Sequence, residues 1–171
     1  EFDWETALTQ EKAQEEMGGY PKLWQMMDTE KSQVMILGDN AGEIGMDTLL
    51  VKQLQSLGAE VTYVVRGAPI LNDATLDDAR FVGMDRLCRV ITSGADSPGT
   101  ILSRCHQSFL QELYTAPIII SKGQGNFESL HGRVPGIFFA LKVKCPVVAR
   151  LTGFPVRTSV FDFLQQEMDL H

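Results

Sequence analysis

The stretch Gln33-Val34-Met35-Ile36-Leu37-Gly38-Asp39-Asn40-Ala41-Gly42-Glu43 passes from an unbroken apolar run into a polar turn with two glycines. The run from Val34 to Leu37 suits a strand in a sheet covered on both faces. A helix is expected after it, from about Gly42 to Leu57, with Met46, Leu50, Leu54 and Leu57 on one apolar face and Gly58 as its stop. The unit then recurs. A strand over Glu60 to Val65 precedes a helix from about Asp73 to Val82, which Asp73 can cap. A short strand over Arg89 to Ile91 precedes a helix over Thr100 to Tyr114, approached through Pro98 and Gly99. A fourth strand over Pro117 to Ile120 leads into the turn at Gly123 and Gly125 and a short helical segment. Val143 to Ala149 reads as the fifth strand. Five strands alternating with helices predict an α/β fold, a doubly wound, mostly parallel sheet flanked by helices.

Residues 1–30 carry charges and amides interspersed with Trp4, Met17, Tyr20, Leu23, Trp24 and Met27, the pattern of one or two amphipathic helices broken near Gly18-Gly19. This places a short N-terminal helical segment at 1–30 and the α/β core at 31–171. The 171 residues, 44% of them apolar and 22% charged, match an ordinary folded domain and argue against disorder. No run approaches the roughly 20 apolar residues of a membrane span. Cys88, Cys105 and Cys145 have neither paired nor zinc-binding spacing, so a reducing, cytoplasmic setting is expected. A net charge of −7 with scattered Lys and Arg disfavours a nucleic-acid partner.

Three polar clusters follow strands, and in such sheets ligands bind outside the carboxyl ends of the strands, where the clusters should converge. The first, Gly38 to Glu43, offers the Asp39 carboxylate and the Asn40 amide oxygen, hard donors suited to a divalent cation, beside a helix start that favours anions. Either residue can equally serve as a helix cap. Glu43 and Asp47 lie four apart on one helix face, and Asp47 sits among apolar residues where a solvated charge is not expected, as if to orient a neighbour.

The second cluster adds Asp73, a further ligand or an ordinary cap, with Arg66 and Asn72 as donors to a phosphate or to the ligands themselves. The third adds Lys122, then Gly123 and Gly125, whose backbone N–H groups can nest an anion or whose flexibility merely allows a turn. Asn126 and Glu128 follow, Glu128 as an acid or base or as a surface residue. Asp96 and Ser97 read as caps, His106 and His131 lack partners at ligand spacing, and His171 is terminal. There is no serine-hydrolase elbow and no strand-linked dinucleotide fingerprint.

The wording of these clusters resembles the damage-control phosphatase family, also known as domain of unknown function eighty-nine. The resemblance runs from about Val34 to Ala149. It rests on Gly38-Asp39-Asn40-Ala41-Gly42-Glu43-Ile44 with Asp47, on Arg66-Gly67-Ala68-Pro69-Ile70-Leu71-Asn72-Asp73-Ala74-Thr75, on Lys122-Gly123-Gln124-Gly125-Asn126-Phe127-Glu128, and on Lys144-Cys145-Pro146-Val147. The Gly-Asn-Phe-Glu at 125–128 is similar to the stand-alone, mainly prokaryotic branch. The resemblance implies a divalent metal, Mn²⁺, Ni²⁺, Co²⁺ or Mg²⁺, on Asp39, Asn40 and Asp73, with Lys122 contacting phosphate. It also implies a larger N-terminal helical region, so a separate helical piece of the same protein is an expected partner.

The function expected from these readings is metal-dependent hydrolysis of small phosphomonoesters, damaged or surplus sugar phosphates or cofactor intermediates. Asp39, Asp73 and Lys122 would carry the chemistry, with Glu43 and Glu128 as acid or base. Asn40, Arg66, Asn72, Lys122, Gly123, Gly125 and Asn126 would bind substrate. A methyltransferase using S-adenosylmethionine and a non-catalytic sensor of phosphorylated metabolites are the alternative readings, and the α/β layout alone does not separate them.

Overall fold

A computed structural model describes residues 18–27 and 31–164. Six strands form one sheet in the order β3-β2-β1-β4-β5-β6. They are β1 (Gln33–Leu37), β2 (Glu60–Val65), β3 (Arg89–Thr92), β4 (Ile118–Lys122), β5 (Ile137–Lys142) and β6 (Ser159–Phe163). The first five pair in parallel and β6 closes the edge antiparallel to β5. The chain moves outward from β1 through β2 to β3, then returns to the other side of β1 for β4. This reversal is the switch point of the sheet, and in such folds the ligand crevice lies there, between the carboxyl ends of β1 and β4.

Strand side chains alternate between two cores. Val34 and Ile36 join Val61, Tyr63, Val65 and Phe138 beneath the helices α1 (Tyr20–Met27), α2 (Ile44–Ser56) and α3 (Leu76–Val82). Met35, Leu37, Ile119 and Phe139 face α4 (Gln107–Thr115), α5 (Gln124–Leu130) and α6 (Pro146–Thr152). In α1, Leu23 and Met27 are buried in the first core, and Tyr20 lies against Phe161 of β6 with ring centroids 4.5 Å apart. The amphipathic reading of residues 1–17 and 28–30 lies outside the described residues.

Three expectations about elements change. Val143 to Ala149 is not a strand: Pro146 occupies the first turn of α6, and Gly153 ends that helix in the left-handed conformation at φ 76. The fifth strand is instead Ile137–Lys142, and β6 makes a sixth. The helix expected over Thr100 to Tyr114 is broken, because the Thr100 N–H is drawn to the Ser129 hydroxyl and the His106 N–H to the Ser93 carbonyl. Only a short 3₁₀ turn at Leu102–Arg104 precedes α4. Finally, α3 starts at Leu76 rather than Asp73. Its cap is Thr75, whose N–H and hydroxyl both donate to Asp78 Oδ2, at 2.8 and 2.7 Å, which frees Asp73 from capping.

Candidate active site

The crevice is built where the chain leaves β1, β2 and β4. Beyond β1, Asn40 forms an isolated antiparallel bridge with Asp73, and the Ala74 N–H donates to the Asp39 carbonyl at 2.7 Å. The loop after β2 is thereby laced to the loop after β1, which sets Asp39 and Asp73 side by side. Neither Asp39 nor Asn40 acts as the cap of α2, whose N-cap is Glu43. The Asn40 amide instead donates to Asp39 Oδ2 and to Glu43 Oε1, both at 3.0 Å, while its oxygen accepts from Asn72 Nδ2 at 2.5 Å.

Burial raises the pKa of Asp39, and the neighbouring carboxylates of Asp73 and Glu43 raise it further against the opposing charges of Arg66 and Lys144. Among the described residues no cationic side chain bonds Asp39, so this carboxylate has negative neighbours and no partner that neutralises it. Gly123 completes the enclosure. Its φ of 83 and ψ of 157 suit glycine, and a Cβ there would lie 2.0 Å from Asp39 Oδ2.

Arg66, expected as a donor to a phosphate or to the ligands themselves, and Asn126, expected to bind substrate, are both buried. Arg66 is 3% exposed and Asn126 0%. Arg66 Nε donates to Asp73 Oδ2 at 2.6 Å, Nη1 to the Thr100 hydroxyl at 3.0 Å and Nη2 to Asn126 Oδ1 at 2.8 Å. Asn126 Nδ2 donates in turn to the carbonyls of Gly38 and Lys122, at 3.0 and 2.8 Å. One buried guanidinium thus ties the carboxyl ends of β1, β2 and β4 to α5 and fixes the face Asp73 presents. Thr100, expected only as the start of a helix, takes part by donating to Asn126 Oδ1 at 2.8 Å. Its only signal in the sequence was its place beside Gly99 in the loop after β3.

Lys122 stands at the end of β4 with its side chain 15% exposed, and its ammonium donates to Asp47 Oδ1 at 2.5 Å and Glu43 Oε2 at 3.0 Å. Burial works against this charge, but the two carboxylates outweigh it and the pKa is raised. Burial likewise opposes ionisation of Glu43, yet the bonds from Lys122 and Asn40 and the nearby charge of Lys144 bring its pKa below the usual value. Glu43 is therefore an anion at neutral pH, able to orient or accept but poorly suited to give a proton. Lys144, in the loop after β5, is exposed, and its charge reaches both Asp39 and Glu43.

The other candidates fall elsewhere. Gly125 is a helical residue in the first turn of α5. Glu128 is exposed and accepts from Gln124 at 2.7 Å. Asp96 pairs with Arg104 at 3.2 Å on the surface. His131 stacks on Phe127 at 4.6 Å, where burial lowers its pKa. Among the described residues no three His, Cys, Asp or Glu side chains gather as a metal cluster. Any cation held here would rest on two carboxylates and the Asn40 amide. That donor set, hard and oxygen-bearing, with repulsion around Asp39 that a cation would relieve, fits a divalent metal.

A family model described as the damage-control phosphatase ARMT1-like domain matches residues 4–160. An uncharacterized protein of Methanocaldococcus jannaschii is 40% identical over 139 residues, covering 79% of this chain and 46% of its own length. A damage-control phosphatase of Archaeoglobus fulgidus is 40% identical over 126 residues, covering 72% and 44%. The crystal structure of a DUF89 family protein from Pyrococcus horikoshii superposes with a TM-score of 0.78 at 33% identity, covering 84% of this chain and 51% of that one. The chain spans less than half the length of the curated relatives it matches.

Proposed function

Since the chain belongs to the damage-control phosphatase ARMT1-like domain family, we propose that it hydrolyses small phosphomonoesters with the help of a divalent cation. The observation that carries this reading is the lacing of Asn40 to Asp73, which sets two carboxylates and an amide oxygen together at the switch point of the sheet. Relatives named damage-control phosphatases support the same reading, as does the place of the crevice in the fold.

In this reading Asp39, Asn40 and Asp73 hold the cation, one of Mn²⁺, Ni²⁺, Co²⁺ or Mg²⁺, and its chemistry when bound is to draw charge from a phosphoryl oxygen. Arg66 keeps Asp73 aimed through the bond from its Nε. Lys122, gripped by Glu43 and Asp47, has one of its three N–H donors left for an anion, and Lys144 supplies a second, exposed cation. Asn72 fixes the Asn40 amide so that its orientation survives substrate binding. The substrates proposed are small damaged or surplus metabolites, and the setting proposed is the cytoplasm. Free thiols at Cys88, Cys105 and Cys145 accord with that setting. Among the described residues no helix is long and apolar enough to cross a membrane.

The test is calorimetric titration of EDTA-stripped protein with Mn²⁺, followed by phosphate release from p-nitrophenyl phosphate and a panel of sugar phosphates. Binding and release that both vanish in Asp39→Ala and Asp73→Ala bear the proposal out. Phosphate release undiminished by EDTA would refute the metal, and tight binding of sugar phosphates without release would favour a sensor.

A further inference from the structure

Tyr63 lies on β2 opposite Ile36 of β1 and is fully buried among Val34, Ile36, Val61 and Val65. A phenylalanine would fill the same hydrocarbon space, so the hydroxyl calls for a reason of its own. It donates to Asp47 Oδ2 at 2.6 Å. Gly38 makes room for that reach. A Cβ on Gly38 would come within 2.7 Å of the Tyr63 hydroxyl oxygen and 2.8 Å of its ring, while the backbone there has no positive φ that demands glycine. Gly38 thus leaves room for the Tyr63 ring and for the hydroxyl it carries to Asp47.

Asp47 divides its carboxylate. Oδ2 takes the Tyr63 hydroxyl and Oδ1 the Lys122 ammonium, and the residue is 5% exposed. A lysine on its four-carbon stem has many rotamers, and a point charge is useful for catalysis only where it is held. Burial and the Asp47 charge keep the Tyr63 phenol protonated at any physiological pH, so it remains a donor.

We propose that Tyr63 is a positioning residue: its hydroxyl locks the Asp47 carboxylate, and Asp47 in turn holds the Lys122 ammonium at the mouth of the crevice. The chain of contacts runs from the core of the sheet to the site, and Gly38 is the space through which it passes. The catalytic half of this inference rests on the phosphatase reading, whereas the geometric half does not.

The experiment compares the wild type with Tyr63→Phe, Asp47→Asn and, as a surface control, Tyr114→Phe. Metal-free protein labelled with ¹⁵N-lysine reports whether the Lys122 ammonium protons stay protected from exchange. The expected result is a protected Lys122 signal in the wild type and the control, broadened or lost in Tyr63→Phe and Asp47→Asn. A Lys122 signal unchanged in either of these variants overturns the proposal.

With p-nitrophenyl phosphate and Mn²⁺, Tyr63→Phe should lower kcat about tenfold, the weight of a hydrogen bond to a buried charge, with KM within about twofold. On a Lys122→Ala background it should cause no further loss, because the effect is routed through that lysine. Losses that multiply would mean that Tyr63 only stabilises the fold. If the wild type releases no phosphate, the phosphatase reading has failed, and the lysine spectra still decide the positioning.

Discussion

Replacing Gly123 with alanine strikes the site where backbone and carboxylate meet. Gly123 holds φ 83 and ψ 157, a region occupied almost solely by glycine, and another residue there costs about 1–3 kcal/mol. The new methyl would sit 2.0 Å from Asp39 Oδ2 and 2.2 Å from its Cγ. Asp39 must then move by about 1 Å or more, and crowding of this kind adds about 1–3 kcal/mol. Together these predict a loss of about 2–6 kcal/mol, or roughly 4–24 °C in Tm for a domain of this size. Gly125 provides the internal comparison. It is helical, and its added Cβ would lie 3.4 Å from the Gly99 nitrogen, so Gly125→Ala should change stability by about 1 kcal/mol or less. Urea unfolding of both variants measures the difference, and Mn²⁺ titration shows whether Asp39 has been displaced. Equal losses in the two variants, or a loss below about 1 kcal/mol in Gly123→Ala, would refute the contact between this turn and Asp39.

Arg66→Met strands the Asp73 carboxylate and Asn126 in the interior, and breaking a buried pair from one side costs about 3–5 kcal/mol. Arg80→Met removes only an exposed i,i+3 pair and should cost under about 1 kcal/mol in the same urea experiment. The Arg89–Glu112 pair is also largely exposed, so Glu112→Gln should cost under about 1 kcal/mol, a difference that shrinks further in 1 M salt. Burial pushes the Cys88 and Cys105 thiols up to about 11, leaving roughly one part in a thousand as thiolate at pH 8. Both should resist a disulfide reagent at pH 8 until the protein is unfolded in urea, which mass spectrometry of the labelled peptides can follow.

The sequence was most readable where one local rule acted alone. The strands Gln33–Leu37 and Glu60–Val65 declare themselves by apolar runs ending in glycine-bearing or charged turns, and their bounds agree with the structure. Val143 to Ala149 misled because β-branched residues outweighed the proline that starts α6, while the true strand Ile137–Lys142 followed a loop of its own. The gathering of Asp39, Asn40 and Asp73 was legible from the rule that strand ends share an edge. The depth of each side chain was not. The sequence leaves Arg66 open between a phosphate and the ligands themselves, because nothing nearby says that Thr100 and Asn126 will close over it, 34 and 60 residues away. Asp47 was the exception. A carboxylate among apolar helix positions advertises a buried partner, and Lys122 and Tyr63 are those partners.

The balance of charge explains why a cation belongs in this reading. Asp39, Glu43, Asp47 and Asp73 meet two cations, the buried Arg66 and the part-buried Lys122. Arg66 is matched to Asp73, and Lys122 is shared between Asp47 and Glu43, so the surplus of negative charge lies at Asp39 and Glu43. Lys144 acts on both, but it is exposed, and solvent weakens it. A phosphate ester approaching this edge would meet net repulsion from the residues that are expected to process it. The lysines alone do not reverse that field, because one of them is already spoken for twice. Burial holds the Asp39 pKa up and the charges of Asp73 and Glu43 add to it, so a divalent cation held by these residues would relieve that repulsion and would itself offer the anion an anchor.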